Sequence, residues 1–239
     1  MIEILRLGEI AIEFTRKPVK HVHLSVHPPE GRVSLVAPPG TRSEVARAYA
    51  ITRLGWIRAQ QERFAGQARE APRRFQNRES HHVWGRRYLL TVEEREARPE
   101  VRLDHRRIML TVRPGSDSAL RARVMHDWHK SLLHQAVPGL IARWEPTLGV
   151  KVAAYFLQRM KTKWGSCNPD ARYIRLNTEL VKKPRDLLEY VIVHEMAHLL
   201  EPTHSAAFVA LLDRHYPSWK EARAELNALP LAAEGRESR

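Results

Sequence analysis

Residues 187–204 read LLEYVIVHEMAHLLEPTH, and this stretch decides the fold. Leu187, Leu188, Val191, Ile192, Val193, Met196, Ala197, Leu199 and Leu200 cover nearly every face of a helix. A helix that is apolar all round belongs in an interior. Its middle nevertheless carries His194, Glu195 and His198. Burying such groups without partners costs several kcal/mol each, and a divalent cation compensates directly. His194 and His198 stand four apart, so both rings project from one face about one turn apart. That separation lets two ring nitrogens reach one ion at about 2.0–2.1 Å. Glu195 is offset by about 100° around the axis, close to the ion but placed to act on a water rather than to ligate. This is the H-E-x-x-H arrangement of zinc peptidases.

A catalytic site needs a third ligand. His204 follows His198 after a break at Pro202, which lets the chain turn back toward the ion. His204 could instead cap the next helix, but Ser205 serves for that, so His204 is the favoured ligand; Glu201, His215 and Glu225 are the runners-up. The histidine spacing equals that of metzincins, but Glu201 replaces their glycine and no methionine follows Met196. The chain is not a metzincin proper.

Outward from this helix, residues 1–115 read as β-rich with one helix, and residues 116–239 as the catalytic region. Ile10, Ile12 and Phe14 alternate, as do Val22, Leu24 and Val26. Pro28-Pro29-Glu30-Gly31 predicts a hairpin turn. Thr41 or Ser43 is expected to cap one helix running to Gly66. A second β block covers Tyr88–Val92, Val101–Leu103 and Ile108–Val112. Ser116 or Asp117 then starts a long helix to Trp144, interrupted near Pro138-Gly139. A strand is expected over Val150–Leu157, a loop over Lys161–Asp170 and a short strand at Tyr173–Leu176. Helices follow from Pro184 to Leu200 or Glu201, from Ser205 to His215 and from Pro217 to Leu229. No internal repeat is visible. His126, His129 and His134 share one helix without an acid in ligand spacing, so they read as surface or core residues. His21, His23, His81 and His82 read the same way.

The net charge is +13, from 40 basic and 27 acidic residues. Residues 1–150 hold 26 basic and 16 acidic of these, so the excess lies in the front half. A basic front half could steer the protein toward nucleic acid, but the arginines are scattered singly and aromatics for base stacking are sparse. One cysteine, Cys167, excludes an intramolecular disulfide framework and an all-cysteine zinc cage. It reads as a small core residue. No apolar run is long enough to span a membrane. The opening MIEILRLGEI carries charges within its apolar stretch, so no secretory leader is expected and the cytoplasm is the expected location.

The segment from Trp164 to Trp219 resembles the YgjP-like metallopeptidases, a zincin group related to the SprT-like and WLM proteases. Lys163-Trp164-Gly165-Ser166-Cys167, Ile174, Leu176-Asn177, Leu180, Pro184, Tyr190-Val191, the HEMAHL core, His204-Ser205, Phe208, Pro217 and Trp219 carry the resemblance. Pro38, Trp56-Ile57 and Gly85 extend it over nearly the whole chain. Asn168 departs from the family's usual serine, which touches only the loop's local hydrogen bonds. The resemblance implies an α+β, zincin-like catalytic domain with a buried HExxH helix, one zinc ion on His194, His198 and His204, and hydrolysis of a peptide or protein substrate.

The chemistry so expected is hydrolysis by a metal-activated water, with Glu195 as general base. Tyr173, Arg172, Lys163 and Tyr216 are candidate donors to the oxyanion. Glu189, Glu201 and Asn177 are candidate acceptors for the outer N–H of the ligating histidines. Tyr173–Leu176 is either the edge strand that pairs with substrate or an ordinary sheet strand. Two other readings keep the metal. One is a hydrolase of a nucleotide or other phosphate-containing molecule, weakened by the lack of a P-loop or second carboxylate cluster. The other is a protease recruited to DNA.

Overall fold

Alternating apolar residues build the first sheet of the computed structural model, which describes residues 2–27, 31–66, 73–160 and 163–229. Strands β1 (Ile2–Leu7), β2 (Ile10–Arg16), β3 (His23–His27) and β4 (Arg32–Ala37) lie in the order β1-β2-β4-β3. Ile12, Phe14, Val33, Leu35 and Ala37 point to one face and pack with Ala46, Ala50 and Ile57 of two helices. These are α1 (Ser43–Thr52) and α2 (Leu54–Gly66). The single helix expected here is thus two. Arg53 closes the first with its N–H on the Ala50 carbonyl, a tighter turn, and Gly55, a poor helix former, follows. Neither expected residue caps α1: Arg16 donates to the Ser43 hydroxyl at 2.9 Å and to the Thr41 carbonyl at 2.9 Å. The turn residues 28–30 lie outside the described residues, while β3 and β4 on either side pair antiparallel.

The second sheet repeats the first. Strands β5 (Ser80–Val83), β6 (Arg86–Glu94), β7 (Glu100–Asp104) and β8 (Arg107–Val112) take the order β5-β6-β8-β7. In both sheets the outer pairs are antiparallel and the central pair parallel. Both end in Pro-Gly, at 39–40 and 114–115, and then enter a helix. The repeat escapes the sequence because only inward positions match, Val33 with Ile108 and Leu35 with Leu110, while exposed residues and loops differ.

The described residues form two compact units, 2–66 and 73–229, so the line expected at 115 falls inside the second. That unit continues with α3 (Ser118–Leu148), capped by the Asp117 carboxylate, which accepts from Leu120 N–H at 2.7 Å. The helix runs unbroken through Pro138 and Pro146 to Gly149, whose left-handed φ of 66° ends it. Leu133, Val137 and Ile141 bury one face around Pro138. At about 1.5–3 kcal/mol for each large apolar side chain, that burial offsets the lost hydrogen bond. A third sheet follows: β9 (Ala154–Gln158), β10 (Gly165–Asn168) and β11 (Tyr173–Asn177), ordered β10-β11-β9. The Lys161–Asp170 segment, read as loop, therefore contains a strand. A short 3₁₀ helix (Thr178–Lys182), α4 (Arg185–Ala197), α5 (Ala206–His215) and α6 (Trp219–Ala228) complete the unit. The whole is a mixed α+β architecture with three small sheets and six α-helices among the described residues. None of those helices is long and apolar enough to cross a membrane.

The second sheet braces the start of α4. Trp84 N–H donates to the Val181 carbonyl at 2.7 Å. Gly85, at φ 77°, leaves room that a Cβ would lose, since it would stand 2.9 Å from Pro184 Cγ.

His129, on α3, is buried with no partner for Nε2 among the described residues. Desolvation, aided by the nearby charges of Lys182, His81 and His126, pushes its pKa down to about 3. The unfolded chain, with a histidine near 6.5, then binds more protons between pH 3 and 6.5, so stability falls as pH drops through that window. His129→Met, which cannot titrate, is expected to move the acid-unfolding midpoint to lower pH. An unchanged midpoint in circular dichroism would refute this.

Candidate metal centre

The apolar faces of α4 bury Leu187, Leu188, Val191, Ile192, Val193, Met196 and Ala197, and so hold His194 and Glu195 at a set depth. The helix ends at Ala197, with His198 as its C-cap. Leu199 and Leu200 N–H groups turn back to the Met196 and Ala197 carbonyls at 3.0 Å. The Glu201 carboxylate then accepts from the Thr203 hydroxyl at 3.0 Å. This tight turn, continued past Pro202, brings His204 to the site. Ser205 begins α5, its hydroxyl accepting from Phe208 N–H at 3.3 Å.

One ligand atom from each of His194, His198 and His204 lies within 4.8 Å of the others. His194 Nε2 and His204 Nε2 are 3.0 Å apart. Two nitrogens bonded tetrahedrally to zinc at about 2.0–2.1 Å stand roughly 3.4 Å apart, so the set fits such an ion. His198 Nδ1 lies 3.0 Å from the Glu201 carbonyl. A carbonyl only accepts, so Nδ1 carries the proton and Nε2 presents its lone pair to the centre. Burial and the neighbouring His198 and His204 push His194 down to about 3, which keeps it neutral and able to ligate. Phe208 floors the cluster. Its ring stacks on His198 at 4.5 Å and meets His194 and His204 at 5.0 and 4.9 Å.

Glu195 is only 6 % exposed. Burial raises its carboxyl to about 8, and Lys163 opposes the rise. Gly165 makes its position feasible: a Cβ there would stand 2.6 Å from Glu195 Oε1 and 2.7 Å from Cγ. Gly165→Ala is therefore expected to displace the carboxylate. Misplacing a reacting group by about 1 Å costs roughly 10²-fold in rate. Peptidase assays beside metal analysis check this, and full activity in the variant would refute it.

The site opens into a cleft of about 780 Å³ lined by β10, α4, α5 and α6 residues. Of the oxyanion candidates, only Lys163 lines it. Tyr173 accepts from Arg175 at 2.9 Å, Arg172 donates to the Lys151 carbonyl at 3.0 Å, and Tyr216 donates to the Asp186 carbonyl at 3.2 Å. Tyr190 and Arg223, absent from the sequence reading, do line the cleft. Tyr190 has a helical signal in hindsight, one turn before His194; Arg223 has none. The expected acceptors for the histidines also differ. Glu201 acts through its carbonyl. Glu189 accepts from Trp144 Nε1 at 2.8 Å, and Asn177 donates to the Met160 and Lys163 carbonyls at 2.9 and 2.8 Å, securing the chain before β10. Tyr173–Leu176 is the central strand of its sheet, so β10 rather than β11 borders the cleft as an edge. Glu201, His215 and Glu225 stand outside the histidine cluster, and so do His126, His129 and His134.

Three converging imidazoles beside a buried carboxylate are the signature of a metallopeptidase. The chain belongs to the YgjP-like metallopeptidase domain family, which matches residues 20–229. As such it is a hydrolase whose substrate is protein or peptide, and it carries a metal-binding histidine triad. It is also similar to the metallopeptidase zymogens abylysin of Pyrococcus abyssi and jannalysin of Methanocaldococcus jannaschii. Each is 21% identical over 38% of this chain, covering 90% and 92% of those proteins, with TM-scores of 0.36 and 0.34. No curated protein matches the chain.

Proposed function

We propose that the chain is a zincin-like, zinc-dependent peptidase, with one zinc per chain on His194, His198 and His204 and Glu195 as general base, all within residues 116–239. The observation that carries this reading is the 3.0 Å approach of two imidazole Nε2 atoms beside a buried carboxylate that is not part of their cluster. When bound, zinc supplies Lewis acidity, polarising the scissile carbonyl and making water acidic near pH 7. Glu195 takes the proton of the attacking water and delivers it to the leaving amine. Its burial and its raised pKa suit both tasks, since the group must accept and then release a proton near neutral pH. Lys163 keeps the carboxylate form accessible. The free edge of β10 pairs with extended substrate through backbone hydrogen bonds, and places the scissile bond over the histidines.

Metal analysis and hydrolysis test this together. The purified chain is expected to hold about one zinc, to cleave an unfolded protein substrate, to lose that activity to a chelator and to regain it with zinc. Hydrolysis that survives complete metal removal overturns the proposal. So does inertness toward peptides with turnover of nucleoside triphosphates.

A further inference from the structure

We propose that Arg223 selects substrates by holding a carboxylate of the bound peptide, either an acidic side chain or the chain's own C-terminal carboxylate. This rests on the peptidase reading above. Helix α6 buries Trp219, Ala222 and Leu226. That leaves Arg223 and Asn227, one turn apart, on the face that lines the cleft. Arg223 makes no hydrogen bond or ion pair with another described residue. The nearby acid that might have taken it is engaged: the Asp213 carboxylate accepts from Trp219 Nε1 at 2.7 Å and pairs with Lys220 at 3.5 Å.

The charge pattern of the cleft points the same way. Among the described residues that line it, Glu195 is the only acid, while Lys163 and Arg223 are both cations. Lys163 acts on Glu195. Arg223 instead exerts its charge on His194 and Tyr190, so it stands to the other side of the reacting centre. Lys163 therefore has a carboxylate to face and Arg223 has none. A guanidinium presents five N–H donors in a planar fork that matches a carboxylate with two parallel hydrogen bonds. A cation so placed, exposed and free of structural partners, gains a counter-ion only when substrate brings one. The cleft is roomy enough for several peptide residues on either side of the scissile bond, so the carboxylate can belong to a side chain or to the chain end.

Matched peptides test this. One series exchanges Glu for Gln at each position around the cleavage site, and a second exchanges a free C-terminal acid for its amide. The zinc-loaded wild type is expected to favour the carboxylate member of one pair by at least about tenfold in kcat/KM, roughly the worth of one charge-assisted hydrogen bond. The responding pair identifies the source of the carboxylate. Arg223→Gln is expected to erase the ratio, and Arg223→Lys, which keeps the charge without the fork, to retain part of it. A ratio unchanged in Arg223→Gln overturns the proposal. Equal losses on charged and neutral peptides do so too, as does a wild type indifferent to every pair. Binding of the same peptides to Glu195→Gln protein, followed by the fluorescence of Trp164 and Trp219 in the cleft, reads recognition without turnover. If the wild type cleaves neither member of any pair, the peptidase reading fails, and the binding ratio alone decides the role of Arg223.

Discussion

Glu195→Gln is expected to lower kcat by roughly 10²–10⁴-fold, the usual worth of a positioned general base, while zinc content stays at the wild-type level. The two halves of this expectation come from different observations. Glu195 is outside the cluster of ligand atoms formed by the three histidines, so its loss removes no bond to the metal. It is also buried, with its pKa raised to about 8 by desolvation, so its proton affinity is set for proton transfer rather than for permanent charge. Glutamine has nearly the same shape and fits the space that Gly165 leaves beside the side chain. The fold should therefore be intact, and the neutral amide should cost less to bury than the carboxylate did. Thermal stability equal to or above wild type, full zinc and lost turnover would together place Glu195 in the chemistry. A parallel fall in zinc and activity would make it a ligand instead.

The central helix was legible in the sequence because it breaks a rule in one place only. Its apolar flanks demand burial, and His194, Glu195 and His198 contradict that demand, which singles them out. Pro202 and Ser205 likewise announced the turn that returns His204. The features that escaped depend on segments distant in the chain. Gly165 matters because Glu195 lies against it, and nothing within its own strand says so. Arg223 reaches the cleft through the packing of Trp219 and Leu226 on α6. Polar residues near the histidines were assigned by type, yet their partners were set by geometry. Glu201 offers its backbone carbonyl while its carboxylate closes a turn, and Glu189 faces Trp144 across from α3. Pro138 was overweighted for a similar reason: a local rule about proline lost to burial of Leu133, Val137 and Ile141 in the tertiary core. The duplicated sheet order hid because a strand pair conserves its inward residues and pairing direction while its surface and turns drift.

His204→Ala is expected to weaken zinc binding by more than about 100-fold, since even partners outside the ligand set cost roughly 10–100-fold in affinity, and to abolish peptide hydrolysis. Among the three ligands it is the most informative to remove. His204 is exposed and sits in the turn between α4 and α5, so its truncation leaves no cavity in the core. The side chain loses its contact with Phe208 and little else. His194 packs between Tyr190 and Phe208 on the buried helix, so alanine there would mix loss of metal with loss of packing. The metal-free forms of wild type and His204→Ala should accordingly unfold at similar temperatures, whereas zinc should stabilise only the wild type appreciably, because a ligand stabilises a fold in proportion to its affinity for the native state. Two imidazoles remain in the variant, enough to hold an ion loosely but not at the fixed geometry that Glu195 needs. Zinc retained at full affinity would mean that the third ligand comes from elsewhere, and Glu201, the nearest acid in sequence, would have to leave the turn it closes with Thr203 to supply it.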